Sequence, residues 1–446
     1  MLIVGAGACG LVAALAARAQ GAEALVLERD RTPTGSTSLS SGFIPAPATR
    51  FQHAIGVHDD TPDLLAADIL AKTKHSADAH EALRLARAIG PALEWLADAH
   101  GIPFHVLDGF RYPGHGRLRM HAVPERTGAA LEARLLRAAT AADVSIVTEA
   151  HATDLFADTA GRVHGVRVTR PDGRTEDIGC GALVLACNGY GGAPDLVRRH
   201  IPDLADAIYF GHPGNQGDAL RWGDELGAEA RDLGACQGHG SVAHPHGIPI
   251  TWALMMEGGI QVNTLGRRFW NEHEGYSEAA VAVLRQPGGI AFGIHDARLH
   301  ELGMTFEDYR QAEATGAIRH ASDIAQLAAD CALPADALAA TLTDVQALAR
   351  AQGTDAFGRH FTAPPLAAPY CAVRVTGALF HTQGGLLVDD DARVLRGNGT
   401  VLPNLFAGGG AARGVSGNAV WGYLSGNGLL AAVGYGILAG TAAARV

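Results

Sequence analysis

The sequence predicts an α/β chain in which a parallel-sheet nucleotide-binding domain is split by an inserted α+β segment. Three observations predict it. The chain opens on strand, glycine turn, helix and second strand: Leu2-Ile3-Val4, then Gly5-Ala6-Gly7-Ala8-Cys9-Gly10, an apolar helical stretch, and a strand ending at Glu28. Strand patterns return around 145–190 and again after 375, where a glycine-dense loop leads into an apolar helix. Between them, from Cys236 to Arg374, histidines, aromatics and long polar helices take over.

Composition narrows the field. At ~150 residues per domain, 446 residues allow two or three domains. With 48% hydrophobic and 18% charged residues a large core can be buried, which excludes disorder over most of the length. The 57 glycines approach twice the usual ~7% and lack a G-X-Y period, so they should mark tight turns and backbone close to a ligand. A net charge of −11 without a basic run argues against a nucleic-acid platform. The 6 cysteines form no C-x-x-C pair, which excludes the usual zinc-ribbon, ferredoxin and haem-attachment spacings and suggests free thiols in a cytoplasmic protein. No basic segment precedes the first apolar run, so no secretory signal is expected, while a start upstream of Met1 stays open. The tail from Leu429 to Val446 is short and glycine-interrupted, and reads as a buried helix rather than a membrane span.

The first 28 residues carry the most specific signal. G-x-G-x-x-G sits at a strand-to-helix turn, and Glu28 follows its last glycine by 18 positions. Gly5 permits the turn, Gly7 lets backbone approach a pyrophosphate, and Gly10 lets the helix pack on the strand. The helix N-terminus then presents N–H groups and a positive dipole end to phosphate. Glu28 can accept from both ribose hydroxyls, and its charge disfavours a 2′-phosphate. The domain is therefore Rossmann-like. Next comes a small hydroxyl-rich loop, with Gly35-Ser36-Thr37 and Ser40-Ser41-Gly42, where nicotinamide dehydrogenases normally continue into another helix.

Further along, 61–101 and 127–142 read as amphipathic helices, 144–149 as a strand, and 152–180 as a β-meander with turns at Ala160-Gly161 and Pro171-Asp172-Gly173. The apolar run ALVLACNG should return the chain to the parallel sheet, and Gly217-Asp218 should open a helix. The expected division is 1–235, 236–374 and 375–446: cofactor domain, substrate-capping domain, cofactor domain.

From the loop at 35–42 onward the sequence resembles the flavoprotein family of fumarate reductases and 3-ketosteroid Δ1-dehydrogenases, whose G-S/N-T-x-x-x-x-G follows the ribose Glu. The resemblance spans nearly the whole chain and implies a split FAD domain with an inserted cap. No histidine lies between Glu28 and Arg50, so the FAD should be noncovalent. A second dinucleotide fingerprint is absent, so electrons should pass to or from an external partner. The resemblance assigns FAD contacts to Gly5, Gly7, Ala8, Cys9, Gly10, Glu28, Arg29, Gly35, Ser36, Thr37, Ser40, Ser41 and Gly42. It adds Ala152, Asn188, Gly189, Gly217, Asp218, Gly409, Gly410 and Ser425. Asn427, Gly428 and Leu429 open the last helix, whose N-terminus faces the flavin N1/O2 edge in the family. Where many relatives hold a ribose with Glu, this sequence has Gly410, so that contact must be lost or made differently.

The fumarate-reductase pattern is only partly present. His239 and His381 match the carboxylate-binding histidines, and Thr251 matches a carboxylate-binding hydroxyl. The relay Glu and Arg are replaced by Trp252 and Met255, and the acid Arg by Tyr276. Tyr276 instead fits R-F-x-N-E-x-x-x-Y, which carries the tyrosine base of ketosteroid dehydrogenases, and Gly422-Tyr423 resembles their carbonyl-polarising loop. The resemblance thus implies α,β-dehydrogenation of a ketone or keto acid. Tyr276 would take the α-proton, Tyr423 would polarise the carbonyl, and hydride would go to flavin N5. The same residues allow two blander readings: Tyr276 as a cap-core tyrosine, and the histidines as backbone-bonded. The alternative enzyme is an ene-reductase of an unsaturated acid. An RNA-modifying or RNA-binding flavin module is disfavoured by charge. No metal is expected, because His239, His244 and His246 lack a thiol or acidic partner at ligand spacing.

Overall fold

The computed structural model describes residues 1–109 and 111–446. Among them the chain forms two compact units. The first contains Met1–Ile201, Gly211–Cys236 and His381–Val446, and the second Pro202–Phe210 and Gln237–Phe380.

In the first unit, β1 (Leu2–Val4), β2 (Leu25–Leu27), β3 (Ser145–Val147) and β4 (Leu183–Leu185) join Val401–Ala407 in a parallel sheet. Its order runs Val401–Ala407, β4, β1, β2, β3, with Arg393–Leu395 added antiparallel at one edge. The central strands are continuous apolar runs, as expected when helices cover both faces. Helix α1 (Ala8–Ala19) follows the glycine turn and is rich in alanine, which favours helix and leaves a smooth surface. The final helix, Asn427–Ala443, exploits that surface. A Cβ on Gly436 would lie 2.8 Å from the Cys9 carbonyl oxygen, and one on Gly440 would lie 2.2 Å from that of Ala13. The two helices therefore meet backbone to backbone.

The helices expected at 61–101 are Pro62–Lys72 and Ala79–His100, capped by Thr61 and Asp78 and ended by left-handed Gly101. Helix α2 (Gly128–Ala141) is capped by Thr127. The meander is an antiparallel sheet of His151–Ala157, Val163–Thr169 and Thr175–Gly179. No helix among the described residues is long and apolar enough to cross a membrane.

The second unit is built on a sheet of its own, whose middle and longest strand is β7 (Tyr370–Thr382), with β5 (Ile290–Asp296) paired beside it. β6 (Ile318–Ala321) pairs with the start of β7. Helices α3 (Tyr276–Leu284), α4 (Ala297–Gly303) and α5 (Glu307–Ala314) belong to this unit. The division expected at 374 falls inside β7, which pairs with β5 from Tyr370 to Thr376 and runs on unbroken. Alternating residues mark where a strand lies but not which sheet it joins, so the stretch RVTGALF belongs to the second unit through Phe380. Residues 202–210 also join it, because Ile208 and Tyr209 pair with Ala378 and Leu379.

Candidate functional site

The glycine turn forms a cradle that no other residue type would fit. Gly5 has φ +109°, and a Cβ there would sit 2.4 Å from the Ala186 carbonyl oxygen; one on Gly10 would sit 1.9 Å from that of Gly5. Gly7 precedes α1, and no side chain caps this helix end. The Ala8 N–H donates to Thr37 Oγ1 at 2.9 Å, tying the hydroxyl-rich loop to the turn. Glu28 accepts from the Ala6 N–H through one oxygen and from the Asp30 N–H through the other, each at 3.0 Å. A carboxylate has about four acceptor sites, so this fixed group can still receive two ribose hydroxyls. Cys9 is buried, and burial pushes its thiol up to about 12.

The loop at 35–42 folds on itself. Ser40 Oγ donates to the Thr37 carbonyl and accepts from the Gly42 N–H, while Gly35 borders open space and Ser41 is exposed. Asn188, in the left-handed region at φ +67°, donates to Ser36 Oγ at 2.5 Å. Its Oδ1 accepts from the Gly189 N–H and would lie 2.2 Å from a Cβ on Gly410. The amide thus occupies the space beside Gly410, which accounts for the missing acidic side chain there: a glycine is required once Asn188 is present. Gly189 accepts from the Gly217 N–H at 3.1 Å, which brings the start of the helix at Asp218 to the same loop. Arg29 bonds the Gly214 carbonyl and His151 Nε2, and Ala152 is a buried strand residue beside them.

The C-terminal loop ends at Gly426, in the left-handed region at φ +85°, and the final helix begins at Asn427 with no side-chain cap. Asn427 is fully buried; its Nδ2 donates to Ser416 Oγ at 3.3 Å and its Oδ1 has no partner. Ser425 is buried, and its carbonyl meets His115 Nε2 at 2.9 Å. His381 rests on this helix end, with Cε1 and Nε2 2.9 Å from where a Gly428 Cβ would be. Gln383 Nε2 lies 3.1 Å and the Thr382 carbonyl 3.4 Å from His381 Nδ1. Burial pushes this imidazole down to about 4, so it is uncharged at neutral pH. The Tyr423 ring meets the His381 ring edge-on at 5.6 Å. Burial raises the Tyr423 phenol, against the pull of the Gly428 and Gly426 backbone groups. A phenol oxygen that accepts from backbone N–H keeps its own proton to give.

The second unit gathers the remaining sequence candidates. His239 stacks on Tyr276 at 5.2 Å and 26°, and on Phe380 at 5.1 Å and 12°, with Trp252 edge-on at 6.3 Å. Burial pushes His239 down to about 3, and the Ser241 N–H points at its Nδ1, so it is a neutral Nε2–H donor. Tyr276 is the first residue of α3, half-buried, after Gly275 at φ +137°. Thr251 Oγ1 accepts from the Ala253 N–H at 3.4 Å. Trp252 and Met255 are buried, and neither can relay a proton. The R-F-x-N-E motif before Tyr276 is an ion-pair knot. Glu272, fully buried, holds Arg268 at 2.5 Å and Arg359 at 2.8 Å and accepts the Gln261 N–H at 3.0 Å. Burial alone would raise the Glu272 carboxyl, but Arg268 and Arg359 outweigh it and hold it low.

Glycines whose Cβ atoms would strike backbone, the uncapped start of α1, the fixed Glu28 and the unpartnered Asn427 Oδ1 together fit an extended dinucleotide. A family model described as FAD binding domain matches residues 1–429. The chain belongs to this FAD-binding family. It is 27% identical over 448 residues to the NADH:fumarate oxidoreductase of Klebsiella pneumoniae (strain 342), covering 100% of this chain and 47% of that protein. The chain thus spans about half the length of that curated relative. The open form of a flavocytochrome c3 fumarate reductase matches with a TM-score of 0.83 at 26% identity, over 100% of this chain and 78% of that one. The 3-ketosteroid Δ1-dehydrogenase of Sterolibacterium denitrificans shares the fold, with a TM-score of 0.79 at 21% identity over 100% and 99%.

Within this flavoprotein frame His381 and Tyr423 lie together in the first unit, and His239, Thr251 and Tyr276 belong to the second. Sequence reasoning missed Gln383, Ser416 and His115, which brace the C-terminal loop, and Glu132 on α2. Burial pushes Glu132 up to about 8 beside Ser38 and Glu28. Gln383 sits in the same FHTQGG stretch as His381, whereas His115 and Glu132 lie in no motif. His121 is fully buried between Thr49 Oγ1 and the Arg119 carbonyl, each at 2.7 Å, and is a core residue. Arg413 is paired with Asp78 at 2.8 Å.

Proposed function

We propose that this flavoprotein dehydrogenates a ketone or keto acid at the carbons α and β to its carbonyl, with Tyr276 moving the α-proton. Bound FAD would supply the two-electron step at the β-carbon. The residues that would hold it are the glycine turn, Glu28, the loop at 35–42, Asn188 and the start of the final helix.

One observation favours a carbonyl substrate: burial disfavours the charged form of both candidate histidines. Burial pushes them to about 3 and about 4, and Arg413 is engaged with Asp78. A neutral imidazole N–H and a phenol suit a carbonyl oxygen, whereas gripping two carboxylates calls for cations. Tyr423 donates to the carbonyl and so acidifies the α-hydrogen. Tyr276 stacks on His239, so its ring plane is fixed by packing rather than by solvent. Trp252 sits edge-on to His239, and Met255 is buried in the core of the same unit. An external acceptor would take the electrons onward.

The second reading, reduction of an unsaturated carboxylic acid, is supported by the fumarate-reducing relative at 27% identity. Tyr276 would then donate the proton. Anaerobic flavin bleaching with a panel of cyclic ketones and keto acids tests the first reading. Reoxidation of reduced protein by enones against enoates separates the two. Tyr276→Phe should abolish bleaching with FAD still bound, and a variant as fast as the wild type would remove Tyr276 from the mechanism.

A further inference from the structure

The second unit holds a side-chain cluster that the flavin chemistry does not use. β5, β7 and β6 lie side by side, and their register places His295 opposite Cys371 and Cys371 opposite His320. Residues directly opposite in antiparallel strands point to the same face, so these three side chains form one row across the sheet. Helices α4 and α5 add His300 and Glu313 to that row. In two overlapping groups, His295 with His300 and Cys371, and His300 with Glu313 and His320, the ligand atoms all lie within 4.8 Å of one another.

From this arrangement we infer a site for a divalent transition-metal ion of the zinc class, held by His300, Glu313 and His320. Two histidines and one carboxylate are a zinc-type donor set, and three protein ligands leave a fourth position for water or an exogenous group. The outer group is the reachable one: His320 is 50% exposed and Glu313 32%, so an ion can enter. Glu313 already meets His320 Nε2 with both oxygens, at 3.0 and 3.1 Å.

The surroundings orient these ligands. Tyr309 OH lies 3.0 Å from His300 Nδ1, which leaves Nε2 to face an ion. Cys371 Sγ lies 3.5 Å from His320 Nδ1, again leaving Nε2. Tyr309 is itself fixed by His295 Nε2 at 2.7 Å, and His295 is fully buried. A metal-binding histidine almost always has its second nitrogen occupied in this way, and such partners influence affinity about 10–100-fold. A plain His–carboxylate pair needs neither the second histidine nor this bracing.

The test uses the FAD-loaded full chain, treated with EDTA, dialysed, and titrated with ZnCl2 against a chromophoric chelator; Co²⁺ reports geometry by its visible absorption. The wild type should take up one ion per chain. His320→Gln and Glu313→Gln should each weaken uptake about tenfold or more, and Tyr309→Phe by about tenfold, all with unchanged FAD content. A wild type that binds no Zn²⁺ at micromolar concentration overturns the site. So does a His300→Gln/His320→Gln double variant that binds like the wild type. If Cys371→Ser abolishes uptake while Glu313→Gln does not, the ion sits in the inner group and this ligand set is wrong.

Discussion

The two units place their functional groups by different means. In the first, backbone does the positioning: Gly5, Gly10, Gly410 and Gly428 stand where a Cβ would meet a carbonyl oxygen, an amide or an imidazole. In the second, side chains do it: an aromatic stack sets His239 and Tyr276, and a buried carboxylate between two guanidiniums fixes the loop before Tyr276. Backbone positioning tolerates almost no substitution but needs no partner. Side-chain positioning depends on groups far apart in sequence, here Arg359 with Glu272, and each is exposed to loss of the other.

The contrast can be broken at several points. The largest effect is expected for Tyr276→Phe, which should slow the chemical step by about 10²–10⁴-fold in single-turnover flavin reduction while leaving FAD content and stability near wild type. Glu272→Gln comes next. It leaves two buried guanidiniums short of their counter-charge and should cost about 3–5 kcal/mol in urea unfolding. Retained flavin in that variant would show that the cradle does not rely on the knot. Gly10→Ala should cost about 2–3 kcal/mol by overpacking, and purified protein should be depleted of FAD; full FAD content would refute the backbone account.

Acid pH probes both units. His239 and His381 are pushed down to about 3 and about 4, so between those values and the ordinary 6.5 the unfolded chain binds more protons. Stability should be complete above about pH 6.5 and fall by up to ~1.4 kcal/mol per pH unit per histidine as pH drops below it. Glu272, held low, adds a further loss only once pH falls through the ordinary carboxylate range and below. A thermal midpoint flat from pH 7 to 5 would show that these imidazoles are not buried neutral. The smallest effect belongs to the meander, where Asp177→Asn breaks an exposed pair with Arg167 and should leave the unfolding midpoint unchanged.

The same contrast explains what could be read from sequence. The fingerprint, Glu28 and the meander were legible because backbone demands leave local marks: glycine at fixed offsets, alternation, turn residues; the start of the final helix at Asn427 came from the family resemblance. The edge of the second unit was not, since nothing in RVTGALF tells which sheet the strand joins. Gly410 could be seen only as an unexplained departure from a family pattern, since the amide of Asn188 beside it is far away in sequence. The downward shift of His239 comes from burial, which does not show in residue spacing. The row His295, Cys371 and His320 depends on strand register, so a search for ligands at short intervals passes over it.

The close seam between α1 and the final helix bears on how the protein is made. Helix α1 emerges from the ribosome hundreds of residues before its packing partner, whose Gly436 and Gly440 lie against Cys9 and Ala13. During translation α1 must remain an exposed apolar segment or borrow other cover. Flavin capture should accordingly be post-translational, and nascent chains halted before Asn427 should be prone to chaperone binding and aggregation.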